Sequence, residues 1–185
     1  QMSHASNKIK WCLDKAKKEL EHGKKHRGLI VRQQSNETAN KHLAKAEHNL
    51  KAVFYLQKGG FEDWSISAGF YCLYHCMLAI LAKYGYESRN QECTLAVVEN
   101  LIQERKLLLD IKFVNALKEY KTDEHHEATV IELRELFQYG LDVKVDSTKL
   151  NELIAFCKEL IDSVKEILSK ERNEENYKGA KRGDK

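Results

Sequence analysis

Proline is absent from the 185-residue sequence, although average usage of about 5% would supply roughly nine. Collagen-like and proline-rich chains are thereby excluded, and the commonest hard stop on helix growth is missing. Strand patterning is equally scarce: the best alternating stretch, Val143-Lys144-Val145, is too short to count. The opening QMSHASNKIK lacks the apolar segment of a secretory signal. With five cysteines, an odd number, the expectation is a cytoplasmic protein with reduced thiols. A hydrophobic content of 42% and a charged content of 32% exclude a wholly disordered chain. What remains is an all-α chain with one domain-sized core.

Helical periodicity is clearest near the end of the sequence. Leu150, Leu153, Ile154, Cys157, Leu160, Ile161, Val164, Ile167 and Leu168 recur at spacings of three and four. The pattern predicts helices over 6–27, 36–58, 61–84, 89–107, 110–120, 124–139 and 147–170. Short connections between them imply an up-and-down antiparallel helix bundle. Gly59-Gly60, Gly85 and Gly140 stand where left-handed residues close helices. Ser88 with Gln91, Asp123, and Asp146-Ser147 stand where polar side chains open them. Three segments result: a basic helical extension over 1–35, the bundle over 36–170, and a flexible charged tail over 171–185.

Charge is distributed unevenly. The net value is +3, but residues 1–45 hold eleven Lys/Arg against four Asp/Glu. Lys17, Lys18, Lys24, Lys25 and Arg27 make this flank a candidate contact for phosphate backbones, a solvated helix face being the alternative. Residues 64–82 form a run of 19 without a formal charge. Its serines, tyrosines and histidine, bracketed by Asp63 and Lys83, fit a helix buried in a bundle better than a membrane span.

That central helix carries the unusual residues. An interior glycine, Gly69, costs about 1 kcal/mol relative to alanine, so close approach of a neighbouring helix or of a second subunit is expected there. Phe70, Tyr71, Tyr74 and Tyr84 lie around it, and a helix apolar on all faces points to a homodimer through this segment. Cys72, His75 and Cys76 share one face and, with Cys93, have the residue types of a zinc site. Three ligands within one turn are sterically awkward, however, and buried cysteine acts as a small hydrophobe. No metal and no cofactor is therefore expected. His125-His126 reads as surface. His75 is either a core histidine donating to a neighbour or a functional group.

The stretch KHLAKAEHNLKAVFYLQKGGFEDWSISAGFYCLYHCMLAILAKYGYESRNQEC resembles the HEPN domain, an all-helical bundle family. LRELFQYGLDVKVDSTKLNELIAFCKELIDSVKEIL is similar to that family's closing pair of helices. The resemblance covers about residues 40–170. It implies a metal-independent ribonuclease motif, an arginine followed after four to six residues by a histidine, assembled across a dimer. The histidine falls on His75. The arginine should fall on Ala68, Gly69 or Phe70, and none can bind a phosphate or stabilise its developing charge. Arg89 and Asn90, just past the glycine stop, can fold back towards His75, with Tyr71 and Tyr74 beside it as further binding candidates.

Three readings follow. The first is a non-catalytic or weakly catalytic protein that binds RNA or nucleotides, probed through Arg89, Asn90 and the basic flank. The second is a toxin-type ribonuclease with a non-standard site at His75. The third, implied by the resemblance, is an interaction module that pairs with a separate nucleotidyltransferase.

Overall fold

The computed structural model describes residues 4–118, 129–141 and 143–180, the last ten of them by backbone alone. In chain order the elements are α1 (His4–Glu21), β1 (Leu29–Val31), α2 (Asn36–Lys58), α3 (Glu62–Lys83), β2 (Tyr86–Ser88), α4 (Gln91–Gln103), α5 (Lys112–Asn115), α6 (Val130–Tyr139) and α7 (Ser147–Ala180). The chain is an all-α helix bundle, with one two-stranded patch that its sequence did not announce.

α3 is the axis of the bundle. α2 packs along it most extensively, and α6 and α7 lie on its other sides. This explains why it is apolar all round: residues from Ser65 to Lys83 are buried on several faces, and two thirds of the window apolar enough to cross a membrane is enclosed by other helices. The α7 stripe is buried along its whole length, from Leu150 to Leu168. Gly69 marks the closest approach of the two helices. A Cβ added there would stand 2.6 Å from Leu153 Cδ2, so α7 of the same chain fills the gap. The Cys157 thiol donates to the Gly69 carbonyl at 3.6 Å across that contact, and the buried Lys83 ammonium donates to the Ile167 carbonyl further along it.

Several boundaries differ from expectation. α1 stops at Glu21, because Gly23 turns left-handed at φ +68°. α4 is capped by Asn90, whose Oδ1 accepts from Cys93 N–H at 3.0 Å, and not by Ser88. Of the expected 110–120 helix, the described residues 110–118 hold one short turn, α5. α6 is opened by a reciprocal Thr129–Glu132 box, while Asp123 and His125-His126 lie outside the described residues. Gly140 is extended, at φ −78° and ψ 175°. α7 continues to Ala180, since a charged segment without proline extends an existing helix with no new nucleation cost; 181–185 lie outside the described residues.

The expectation of five reduced thiols is overturned: Cys12 of α1 and Cys93 of α4 form a disulfide, with Cα atoms 5.9 Å apart. Cys72, Cys76 and Cys157 are free and buried. With Cys93 bonded to Cys12, the fourth position of the zinc alternative is not assembled. The link closes a loop of 81 residues' separation, which in chain-entropy terms contributes about 4 kcal/mol.

β1 and β2 pair antiparallel, with Leu29 opposite Ser88 and Val31 opposite Tyr86. Gly85 makes the junction possible. It closes α3 at φ +80°, its carbonyl accepts from Arg32 N–H at 2.8 Å, and a Cβ on it would stand 2.8 Å from the Arg32 carbonyl oxygen. Gly60, at φ +78°, faces open space. Gly60→Ala should therefore cost only the left-handed strain of ~1 kcal/mol. Gly85→Ala must also displace backbone and should cost ~2 kcal/mol or more. Urea unfolding of the two variants checks this, and equal midpoints would contradict it.

Candidate functional site

The strand patch brings two guanidiniums and an imidazole to one carboxylate. Glu87, central in β2, accepts from Arg32 Nε at 3.1 Å and from His26 Nε2 at 3.1 Å, and Arg89 Nε stands 3.4 Å away. Because an ionised carboxylate only accepts, the hydrogen of His26 sits on Nε2. His26 Nδ1 is buried with no hydrogen-bond partner among the described residues. Burial works to raise the pKa of Glu87, but the hydrogen bonds from His26 and Arg32 outweigh it and hold the carboxyl below its ordinary value. The two arginines remain reachable from solvent, their side chains 61% and 51% exposed.

They open onto a groove of about 550 Å³. Its rim carries Arg32, Ser35, Thr38, His42 and Arg89; its floor is Leu78, Leu81 and Ala82, with Tyr86 beside them. Ser35 is the N-cap of the 23-residue α2, its Oγ accepting from Thr38 N–H at 3.0 Å. The positive end of that helix therefore meets the groove at the same rim as the guanidiniums.

His42 connects the groove to His75. The two Nδ1 atoms are 3.1 Å apart, with ring centroids at 5.3 Å. With both rings neutral, one Nδ1 carries the hydrogen and the other accepts it. The first ring then presents a basic Nε2 and the second an Nε2–H. One acid and one base are thus paired by a single shared proton. Burial, then the neighbouring His42 and Lys45, push the pKa of His75 down to about 4, and burial lowers that of His42.

Of the residues anticipated from sequence, His75 and Arg89 converge on this region, though through His42 and not by direct contact. Tyr74 stacks on Phe70 with its hydroxyl 3.4 Å from Thr94 Oγ1, and burial raises its pKa. Tyr71 stands edge-on to Phe70 and is exposed. Tyr84 donates to the Lys106 carbonyl. Asn90 is occupied as the α4 cap and borders a different cavity, between α1 and α4. Lys17, Lys18, Lys24, Lys25 and Arg27 are all exposed. Sequence reading counted Arg32 only as part of the basic flank and missed His42, Glu87 and His26, which look like ordinary residues until the strands pair and α2 packs on α3.

Of the three positions where an arginine was sought, a side chain at 69 would have to displace Leu153, Phe70 is buried beneath the Arg134 guanidinium, 4.3 Å above its ring, and Ala68 is half-buried. Arg134 comes from α6. Its Nε is buried without a hydrogen-bond partner among the described residues, and its Nη2 lies 3.8 Å from Glu135.

The histidine pair has a consequence for pH. A His75 with a folded pKa near 4 and an ordinary value of 6.5 binds fewer protons folded than unfolded across that interval. Its contribution is complete above pH 6.5 and is lost as pH falls towards 4. Thermal melting between pH 7 and 4 should show a decline that flattens in a His42→Gln/His75→Gln double variant. A decline of the same slope in both proteins would assign the effect to other groups.

The helical axis enclosed by α2, α6 and α7 thus carries a histidine, His75, that meets the groove through His42. No curated protein matches the sequence significantly. The family model for the HEPN domain matches residues 39–168, a span from the first turns of α2 through the buried stripe of α7 that takes in the groove's His42 and Arg89, and the chain belongs to the HEPN family.

Proposed function

We propose that the protein binds RNA or nucleotides through their phosphates, in the groove between Arg32, Arg89 and His42. The observation that carries this reading is the pair of exposed guanidiniums sharing one carboxylate at the N-terminus of α2. A phosphate entering there meets two planar, always-charged donors and a helix end. The apolar floor suits a base or ribose face, and the groove's volume suits a mononucleotide unit. The exposed basic flank extends the positive surface for a longer strand.

Fluorescence anisotropy with a labelled 12-nucleotide oligouridylate tests it. Each phosphate contact contributes about −0.7 to the slope of log K against log salt for single strands. An Arg32→Ala/Arg89→Ala variant should lose about tenfold or more in affinity and flatten that slope by about 1.4. Glu87→Gln, which removes the competing carboxylate, should bind more tightly than the native chain. Unchanged affinity and slope in the double arginine variant would sink the groove as the binding site.

The His42–His75 hydrogen bond supports a second reading, metal-independent cleavage of the bound RNA. One imidazole takes the 2′-hydroxyl proton and the other supplies a proton to the leaving oxygen, each typically worth 10²–10⁴-fold. Native, His42→Ala and His75→Ala proteins incubated with labelled RNA in chelator should then differ, with cleavage by the native chain alone. Equal cleavage by all three, or none by any, ends that reading.

A further inference from the structure

The Cys12–Cys93 disulfide sits where the groove is held together. α1 grips the bundle by a narrow face: its fully buried residues are Ala5, Cys12 and Ala16, all small, with Ile9 and Leu13 half-buried against the core, while Trp11 remains half exposed between Lys8 and Lys15. Besides this narrow face, α1 is tied to α4 by the Lys8–Glu92 ion pair and by the disulfide itself. The non-covalent hold of α1 is thus three small buried residues and two half-buried apolar side chains, a modest removal of apolar area from water for an 18-residue helix.

Both arginines of the groove depend on the turn that carries Cys12. Gly28 packs directly on it; a Cβ there would stand 2.4 Å from the Cys12 carbonyl oxygen. The Gly28 carbonyl accepts from Arg89 N–H at 3.1 Å. One residue on, β1 begins and leads to Arg32. From the other side, Cys93 is the third residue of α4, four residues after Arg89, with its N–H held by Asn90. Cys12 and Cys93 are fully buried, so the link stands inside the support of the site and not on its surface.

We propose that Cys12–Cys93 is a redox clasp that sets the groove: the oxidised chain holds Arg32 and Arg89 together on Glu87, and reduction by a dithiol releases α1 and β1 and disperses them. This rests on the groove being the binding site. The exchange is a two-step displacement. A thiolate of the dithiol attacks one protein sulfur, the S–S bond breaks, and the second cysteine leaves as a thiolate that takes a proton. The remaining thiol of the reductant then displaces the first cysteine, giving two protein thiols and a cyclic disulfide. Because both sulfurs are buried, α1 must lift before attack, and the clasp opens by local unfolding. Linkage makes the coupling reciprocal: a ligand that holds the two arginines also holds the clasp shut.

Hydrogen exchange on the full chain, oxidised and in dithiothreitol, tests the clasp independently of any ligand. The Arg32 and Arg89 amides, bonded to the Gly85 and Gly28 carbonyls, should lose protection on reduction together with residues 4–31, while α2, α3 and α7 keep theirs. A Cys12→Ala/Cys93→Ala variant should reproduce the reduced pattern, with circular dichroism confirming that the bundle is folded. Oligouridylate affinity should fall about tenfold or more on reduction, as in the double arginine variant, and saturating oligouridylate should slow reduction of the native chain. Protection of both amides in the reduced protein would overturn the clasp. So would an oligouridylate affinity that reduction leaves unchanged. No oligouridylate binding by the oxidised chain would overturn the groove as a site, and the amides would still decide whether the disulfide holds its two arms.

Discussion

Three residue pairs, Leu29–Ser88, Ile30–Glu87 and Val31–Tyr86, hold the site of a helical protein together, and a ladder so short has no stability of its own. It persists because both of its strands are fastened outside it. Gly85 ends α3 and turns the chain straight into β2; Arg32 N–H and Ser35 N–H reach back to the carbonyls of Gly85 and Ala82, and Gly28 lies against the Cys12 turn. β1 and the start of α2 are thus fixed to the end of α3. From this one junction follow the meeting of Arg32, Arg89 and His26 on Glu87, the placing of the α2 N-terminus beside them, and the shape of the groove.

The same helix ends show what a sequence can disclose. The burial of α3 on all faces is legible in its uncharged run, and that of α7 in its three-and-four stripe, because both are local consequences of amphipathicity. Gly60 and Gly85 are legible as stops because only a left-handed residue closes a helix in that way. Gly69 is legible as a close approach, and Leu153 supplies it. The site is different in kind. Arg32 meets Glu87 across 55 positions, His42 meets His75 across 33, and Cys12 meets Cys93 across 81. Such pairings leave no period and no composition signal. His75 and Arg89 could be singled out by their setting, but the residues that join them could not. The odd cysteine count suggested free thiols, whereas one pair bonds and three remain in the core.

Gly69 also explains the missing arginine. α3 serves as the packing axis, and at this position a side chain would have to push the buried Leu153 side chain of α7 aside. A long cation there would have to enter the core or push α7 away, at the several kcal/mol typical of overpacking or of an unpaired buried charge. The next position is filled by Phe70, which supports Tyr71, Tyr74 and Arg134. Packing occupies this face of α3 at positions 69 and 70. On the binding reading, the positive charge that meets a phosphate comes instead from the strand junction.

The electrostatics of that junction bear on which phosphates it would favour. Near neutral pH the His42–His75 pair carries no charge, since burial disfavours protonation of both rings. The attraction for anions therefore comes from Arg32, Arg89 and the end of α2, set against Glu87. On the binding reading, an entering phosphate must displace part of the Glu87 interaction. A phosphodiester brings one negative charge, so the exchange is nearly even and the gain is confined to geometry. A terminal phosphomonoester brings between about 1.5 and 2 negative charges near pH 7, and the second arginine can be satisfied without stripping Glu87 from the first. On the binding reading, the groove discriminates strand ends and free nucleotides from internal positions along a strand. The carboxylate that opposes phosphate binding is then the group that gives the groove its selectivity.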